Sequence, residues 1–321
     1  MKLSLFPQRS GMAKRNGKWI DGLRPEMPVS KAARKTLRRR LRPVDRWLSD
    51  AAYRADDSPE FVHQLRVATR RAMAALEGYA ELLPPTKAAK MTKQLGRIRK
   101  RAGDARDCDV FVERLKQAAD GERWAPLVTH LEQLRAEAQE PIVKLRRKLT
   151  RKDFARKIEK LVDQVHAPRH EQETTLLQWA RHGLARNVAK FFEAGAADLG
   201  DTTLLHQFRI EGKHLRYALE YFSSAFGPEV RNELYPAIER VQGLLGTVND
   251  HASAIEHLAE WRLKWEEPEV QALLEERAAL EQTALRESKQ EFYRWWTPQR
   301  AAELRNRFTL LLEFPDEEHA A

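Results

Sequence analysis

Apolar positions recur at helical spacing along nearly the whole chain. Leu37, Leu41, Val44 and Leu48 share one side of a helix that opens near Ser30, a residue type that caps helix N-termini. A second helix is expected from about Pro59 to Leu83, stopped by Pro84 and Pro85. Met91, Leu95, Ile98 and Ala102 line one face of a third, which ends at Gly103; a fourth starts around residues 104–107. Pro126 and Pro141 open the helices that finish the first half. The second half repeats the order, with helices expected over 174–194, 202–226, 228–246 and 250–264, then long charged helices to about Trp296 and a last one from Pro298. No sustained alternation of apolar and polar residues marks a strand. The pattern predicts an all-α fold of two tandem helical bundles, over residues 30–165 and 174–315, joined by a short linker at 166–173. Residues 1–29 lack periodicity and read as a basic, flexible tail, and 316–321 as a second tail.

The repeat extends to individual residues. The segment HQLRVATRRAMAALEGY, His63 to Tyr79, reappears 143 positions later as HQFRIEGKHLRYALEYF, His206 to Phe222, without a gap. His63/His206, Gln64/Gln207, Arg66/Arg209, Ala75/Ala218, Leu76/Leu219 and Glu77/Glu220 are identical, and Arg70/Lys213 keeps a positive charge. The same offset pairs Arg97 with Arg240, Gly103 with Gly246, Asp107 with Asp250 and Leu115 with Leu258. One register held this far marks an internal duplication, and the two bundles are expected to be related by pseudo-two-fold symmetry.

On a helical wheel, Arg209, Lys213 and Arg216 fall with His206 inside an arc about 80° wide. Phe208, Leu215, Ala218, Leu219 and Phe222 take the opposite side. The first copy sets His63, Arg66 and Arg70 opposite Leu65, Ala68, Ala72, Ala75, Leu76 and Tyr79, with Met73 in the place of Arg216. Lys31, Lys35, Arg38 and Arg42 make a similar face on the first helix, and Lys93, Arg97 and Lys100 on the third. Like charges at this spacing repel by a few tenths of a kcal/mol each, a cost that a bound anion offsets. A solvated helix face is the plain reading of one such stripe; two in a single duplicated register point to an anionic ligand. Asp107 and Asp250 are expected to cap the fourth helices or orient a neighbouring arginine.

Composition narrows the partner. Of 57 Lys+Arg and 47 Asp+Glu, residues 1–50 hold 14 and 4, so the chain's net +10 sits at its start and the rest is balanced. Beyond residue 50 an anion must be met by local clusters. Cys108 is the one cysteine, which excludes an internal disulfide and any multi-cysteine metal site and suits a reducing cytoplasm. There is no run of 18 apolar residues, and the opening segment has too short an apolar stretch for a secretory signal, so no membrane partner is expected.

These residues resemble the CHAD family, the conserved histidine α-helical domain. The resemblance rests on His63, Arg66 and Arg70 followed by Gly103, Asp104, Ala105, Arg106 and Asp107, then on His206, Arg209, Lys213, Arg216 and Tyr217 followed by Leu245, Gly246, Asn249 and Asp250. It covers roughly residues 30–315. The resemblance implies paired helical bundles around a basic central groove or pore that binds inorganic polyphosphate, with polyphosphate granules as the location and polyphosphate-metabolising proteins as neighbours. Family members often carry a CYTH triphosphatase domain; this sequence has no stretch for one and lacks its E-x-E-x-K signature, so no enzymatic activity, cofactor or metal is expected. The site is expected to centre on His63, Arg66, Arg70, His206, Arg209, Lys213 and Arg216, with Arg38, Arg42, Arg97, Arg106 and Arg240 as further contacts. Polyphosphate suits such a surface independently: arginine offers a fixed fork of donors to phosphate oxygens, and lysine a point charge.

Three alternatives remain, two of them on the same residues. Nucleic acid would be held by the same charge, but single-strand binders add stacking aromatics, and only Tyr217 lies near the basic arc. A metal-dependent phosphohydrolase would enlist His63, His206, Asp107 and Asp250, yet there is no H-E-x-x-H motif, and Pro168 interrupts the His166/His170 pair. A protein scaffold would use the acidic helices after Trp261 and the pair Trp295 and Trp296, for which solvated helix and core are the plainer explanations.

Overall fold

The computed structural model describes residues 17–118, 120–167 and 174–313. Among these the chain is all-α, with one isolated bridge between Pro28 and Thr175. The first half comprises α1 (Val29–Tyr53), α2 (Glu60–Gly78), α3 (Pro85–Arg101), α4 (Gly103–Gln117), α5 (Ala125–Glu137), α6 (Gln139–Arg151) and α7 (Phe154–Asp163). The second comprises α8 (Leu176–Gly195), α9 (Thr202–Phe222), α10 (Tyr235–Arg262), α11 (Pro268–Trp295) and α12 (Pro298–Leu312).

α1 packs along α2, α8 along α9, and α2 in turn on α9. The apolar stripes read from the sequence face this centre: Leu37, Leu65, Leu76, Phe208, Leu215 and Phe222 are fully buried in one continuous core. Gly78 leaves room for Tyr221 of α9 against α2, because a Cβ there would lie 2.3 Å from the Tyr221 hydroxyl. A smaller second core joins α4 and α5 to α10 and α11 through Phe111, Trp124, Leu127, Leu258, Trp261 and Leu274.

Three expectations need correction. The helices expected over 228–246 and 250–264 are one helix, α10, entered through a π-helical turn at Val230–Leu234. A glycine inside a helix costs only about 1 kcal/mol, which packing against α9 and α11 outweighs at Gly246. Gly103, in contrast, follows Ala102, whose φ of −92° and ψ of 3° divide α3 from α4. Asp107 and Asp250 therefore lie inside helices and cap neither. Finally, the expected tail divides. Residues 1–16 lie outside the described residues, but 17–28 are packed against the body, with Ile20 buried and the Gly17 and Lys18 carbonyls accepting from Arg40 at 3.1 and 2.5 Å. Of the linker, residues 168–173 lie outside the described residues, as do 314–321 at the chain's end.

Candidate functional site

Burial of the apolar faces of α2 and α9 turns their cations outward from the core, yet not fully into solvent. His63, Arg66, Arg70, Arg209, Lys213 and Arg216 are half-buried, and His206 is exposed. The helix contact brings Arg70 of the first ridge to the second, while Arg66 lies toward Arg99, Arg106 and Asp107. Arg70 Nε donates to the Tyr217 hydroxyl across 3.0 Å, which sets the Arg70 guanidinium among the charges of α9.

Charge is most crowded at Lys213. Burial, then Arg209, Arg70 and Arg216, lower its ammonium to about 7, and Asp250 opposes them. Burial also lowers Arg209 below the ordinary arginine range; Asp250 offsets this and Arg70 adds to it. Arg66 behaves alike: burial lowers it, Asp107 opposes, and Arg70, Arg99 and Arg106 add repulsion. Arg66 Nη1 donates to the Arg99 carbonyl at 3.3 Å. His206, though exposed, is lowered by partial desolvation, then by Arg209 and Lys213, with Glu256 opposing. Arg216 is lowered by burial but raised overall by the oxygens of Tyr217, Tyr235, Glu220 and Glu239, and its guanidinium lies 5.0 Å from the Tyr217 ring. The Nε atoms of Arg209 and Arg216 are buried with no hydrogen-bond partner among the described residues. Leaving such a donor unsatisfied costs about 1–3 kcal/mol, which an anionic oxygen in reach would recover.

Behind this cluster lies a buried carboxylate. Glu220, 1% exposed, accepts from Arg71 Nε at 2.6 Å and from the Tyr235 hydroxyl at 3.1 Å, and lies 3.8 Å from Arg40. It ties α1, α2, α9 and α10 together. Its partner in the repeat, Glu77, is exposed. Sequence identity at this pair thus conceals two environments, and Arg71 and Glu220 were not among the candidate residues.

The further contacts are dispersed. Arg38 pairs with Glu159 and Asp163 of α7 at 3.2 and 3.1 Å, and Arg42 with Glu159 at 2.7 Å. Spacing along α1 reveals no acids within the stripe, because they arrive from another helix. Arg240 pairs with Glu291 of α11 at 3.1 Å. Arg97 lines a separate hollow between α3 and α6 with Arg101, Lys144 and Lys148. Arg106 alone of this group adjoins the central cluster, through Arg66 and Asp107. Asp107 itself is raised by burial, with Arg66 and His257 opposing.

The arrangement presents guanidinium forks from both helices around one ammonium, a geometry suited to oxygens of phosphate or sulfate type.

The whole architecture has solved counterparts. The crystal structure of the CHAD domain from the plant Ricinus communis superposes with a TM-score of 0.66 at 18% identity, covering 96% of this chain and 98% of that one. PptA from Streptomyces chartreusis superposes at 0.59 and 17% identity, covering 85% of this chain and 99% of that one. Comparison with curated proteins gives no match. The CHAD domain matches residues 35–259, and the chain belongs to the CHAD domain family.

Proposed function

We propose that this protein binds inorganic polyphosphate without catalysis, at the meeting of α2 and α9, and that it associates with polyphosphate granules. The observation that carries the reading is the convergence of Arg70, Arg209 and Arg216 on Lys213, with Asp250 as the opposing charge. Crowding cations in a half-buried site is unfavourable unless a polyanion occupies it. Polyphosphate is a flexible string of about one charge per phosphate, so successive phosphates meet forks on both helices. Its binding releases condensed counterions and weakens steeply with salt, as for single-stranded nucleic acid.

Competition tests the reading against the nucleic-acid alternative. With protein held on labelled long-chain polyphosphate, RNA at equal phosphate concentration is expected to displace little, and polyphosphate is expected to strip bound RNA. The reverse order would overturn the assignment. Release of orthophosphate from polyphosphate with added Mg²⁺ or Mn²⁺ would overturn the non-catalytic part. A fluorescent fusion that stays diffuse in cells rich in granules would remove the granule association.

A further inference from the structure

Asp107 and Asp250, whose charges oppose those of Arg66 and Arg209, each lie on a cation of the other half. Asp107 Oδ2 lies 3.7 Å from His257 Nε2, and Asp250 Oδ2 lies 3.8 Å from Arg114 Nη2. Asp107 and Arg114 belong to α4; Asp250 and His257 belong to α10. In the 143-residue register Asp107 corresponds to Asp250, and Arg114 to His257. The two contacts are therefore one contact made twice. Each half lends its cation to the carboxylate of the other, the pattern of a self-complementary interface.

A carboxylate beside Arg66 or Arg209 competes with phosphate for that guanidinium. A second cation on the carboxylate draws part of its charge away. In one half the second cation is a guanidinium, charged at every working pH; in the other it is an imidazole, charged only when protonated. We propose that Arg114 and His257 are positioning residues of the anion site, diverting Asp250 and Asp107 from Arg209 and Arg66, and that the His257 half alone makes this diversion depend on pH. The proposal rests on the polyphosphate reading above.

The surroundings of each group fix the direction. His257 faces Asp107 from α4 and, on its own helix, Glu260 at 3.6 Å, with its ring stacked on Trp261. Asp107 faces Arg66 from α2 and shares α4 with Asp104 and Arg106. Arg114 is held on its other side by the buried Glu281 of α11 at 3.8 Å, which His251 Nδ1 also contacts at 2.5 Å. Protonated His257 shares Asp107 and frees Arg66. With His257 neutral, Asp107 is released toward Arg66, and phosphate binding weakens.

The test measures polyphosphate affinity of the full chain at about pH 5.5 and pH 8, on either side of the ordinary histidine range. Ratios of variant to wild type cancel titrations common to all forms, such as that of Lys213. His257→Arg is expected to match wild type at the lower pH and bind about two- to fivefold tighter at the higher, the reach of a partly exposed ion pair. His257→Gln should do the opposite, weaker at the lower pH and equal at the higher. Arg114→His should acquire a fall in affinity between the two. If all three variants track wild type at both pH values while wild type binds normally, the positioning role is overturned and the function stands. If wild type binds no polyphosphate at either pH, the functional reading falls and takes this one with it. His257 NMR titration gives a check independent of affinity: bound polyphosphate, by engaging Arg66, should leave Asp107 to His257 and raise its midpoint. An unmoved midpoint in a binding protein counts against the role.

Discussion

Arg70 of α2 donates its Nε–H to the Tyr217 hydroxyl of α9 across 3.0 Å, linking the two cationic ridges at the point where they meet. Tyr217 is 6% exposed, so this bond is shielded from water. It holds a guanidinium beside Lys213 and Arg209, where repulsion would otherwise swing it outward.

Replacing Tyr217 by Phe removes the acceptor and keeps the ring. The expected loss of stability is about 1.5–3 kcal/mol, the range for a hydrogen bond to a charged group. Polyphosphate affinity should fall several-fold without being lost, because Arg70 keeps its charge and loses its orientation. Denaturant unfolding and a binding titration on the same variant check both. Wild-type affinity in a destabilised Tyr217→Phe protein would show that Arg70 orientation is irrelevant to binding.

Glu220 is expected to be the most costly single polar residue to change. Its removal leaves Arg71 and Arg40 without their buried counter-ion. Glu220→Gln should cost about 3–5 kcal/mol, the scale for breaking a buried ion pair from one side. Glu77→Gln, at the corresponding exposed position, should change stability by less than about 0.5 kcal/mol. Equal unfolding midpoints for the two variants would contradict the assignment of Glu220 as the tie between four helices.

Lys213 gives the site a proton signature. Its folded-state pKa is lowered to about 7, whereas an unfolded lysine titrates near 10.4. Between these values the unfolded chain binds more protons, so this residue makes stability rise with pH through the window from about 7 to about 10.4. Below about 7 both states are protonated and the full penalty remains. A bound polyanion restores the charged form, so binding near pH 8 should take up protons, with Lys213 contributing up to about one. Calorimetry in two buffers of different ionisation enthalpy should show this uptake, and Lys213→Arg should lose that share. Identical uptake in the two proteins would contradict the crowding at Lys213.

Much of this was legible in the sequence. The 3.6-residue periodicity gave the helices, and the outward faces of α2 and α9 followed from the apolar stripes opposite them. What could not be read depends on contacts between helices. Glu159 on α7 neutralises Arg38 and Arg42, and Glu291 on α11 pairs with Arg240; spacing along α1 and α10 does not reveal partners that arrive from other helices. Gly103 and Gly246 occupy the same register yet only the first divides two helices, because α10 is packed on both α9 and α11. Residues 17–28 lack periodicity since they are held by backbone carbonyls and single buried side chains, such as Ile20, rather than by a helical face.

The central claim is that cations from α2 and α9 grip one polyanion together. Titration of defined-length polyphosphate into wild type and into the double variant Arg209→Glu, Lys213→Glu, with helical content followed by circular dichroism, tests it most directly. The account predicts that the variant keeps its helices and loses measurable binding, while Arg209→Lys loses only part of it through the missing fork. Undiminished affinity in the folded double variant would contradict the account.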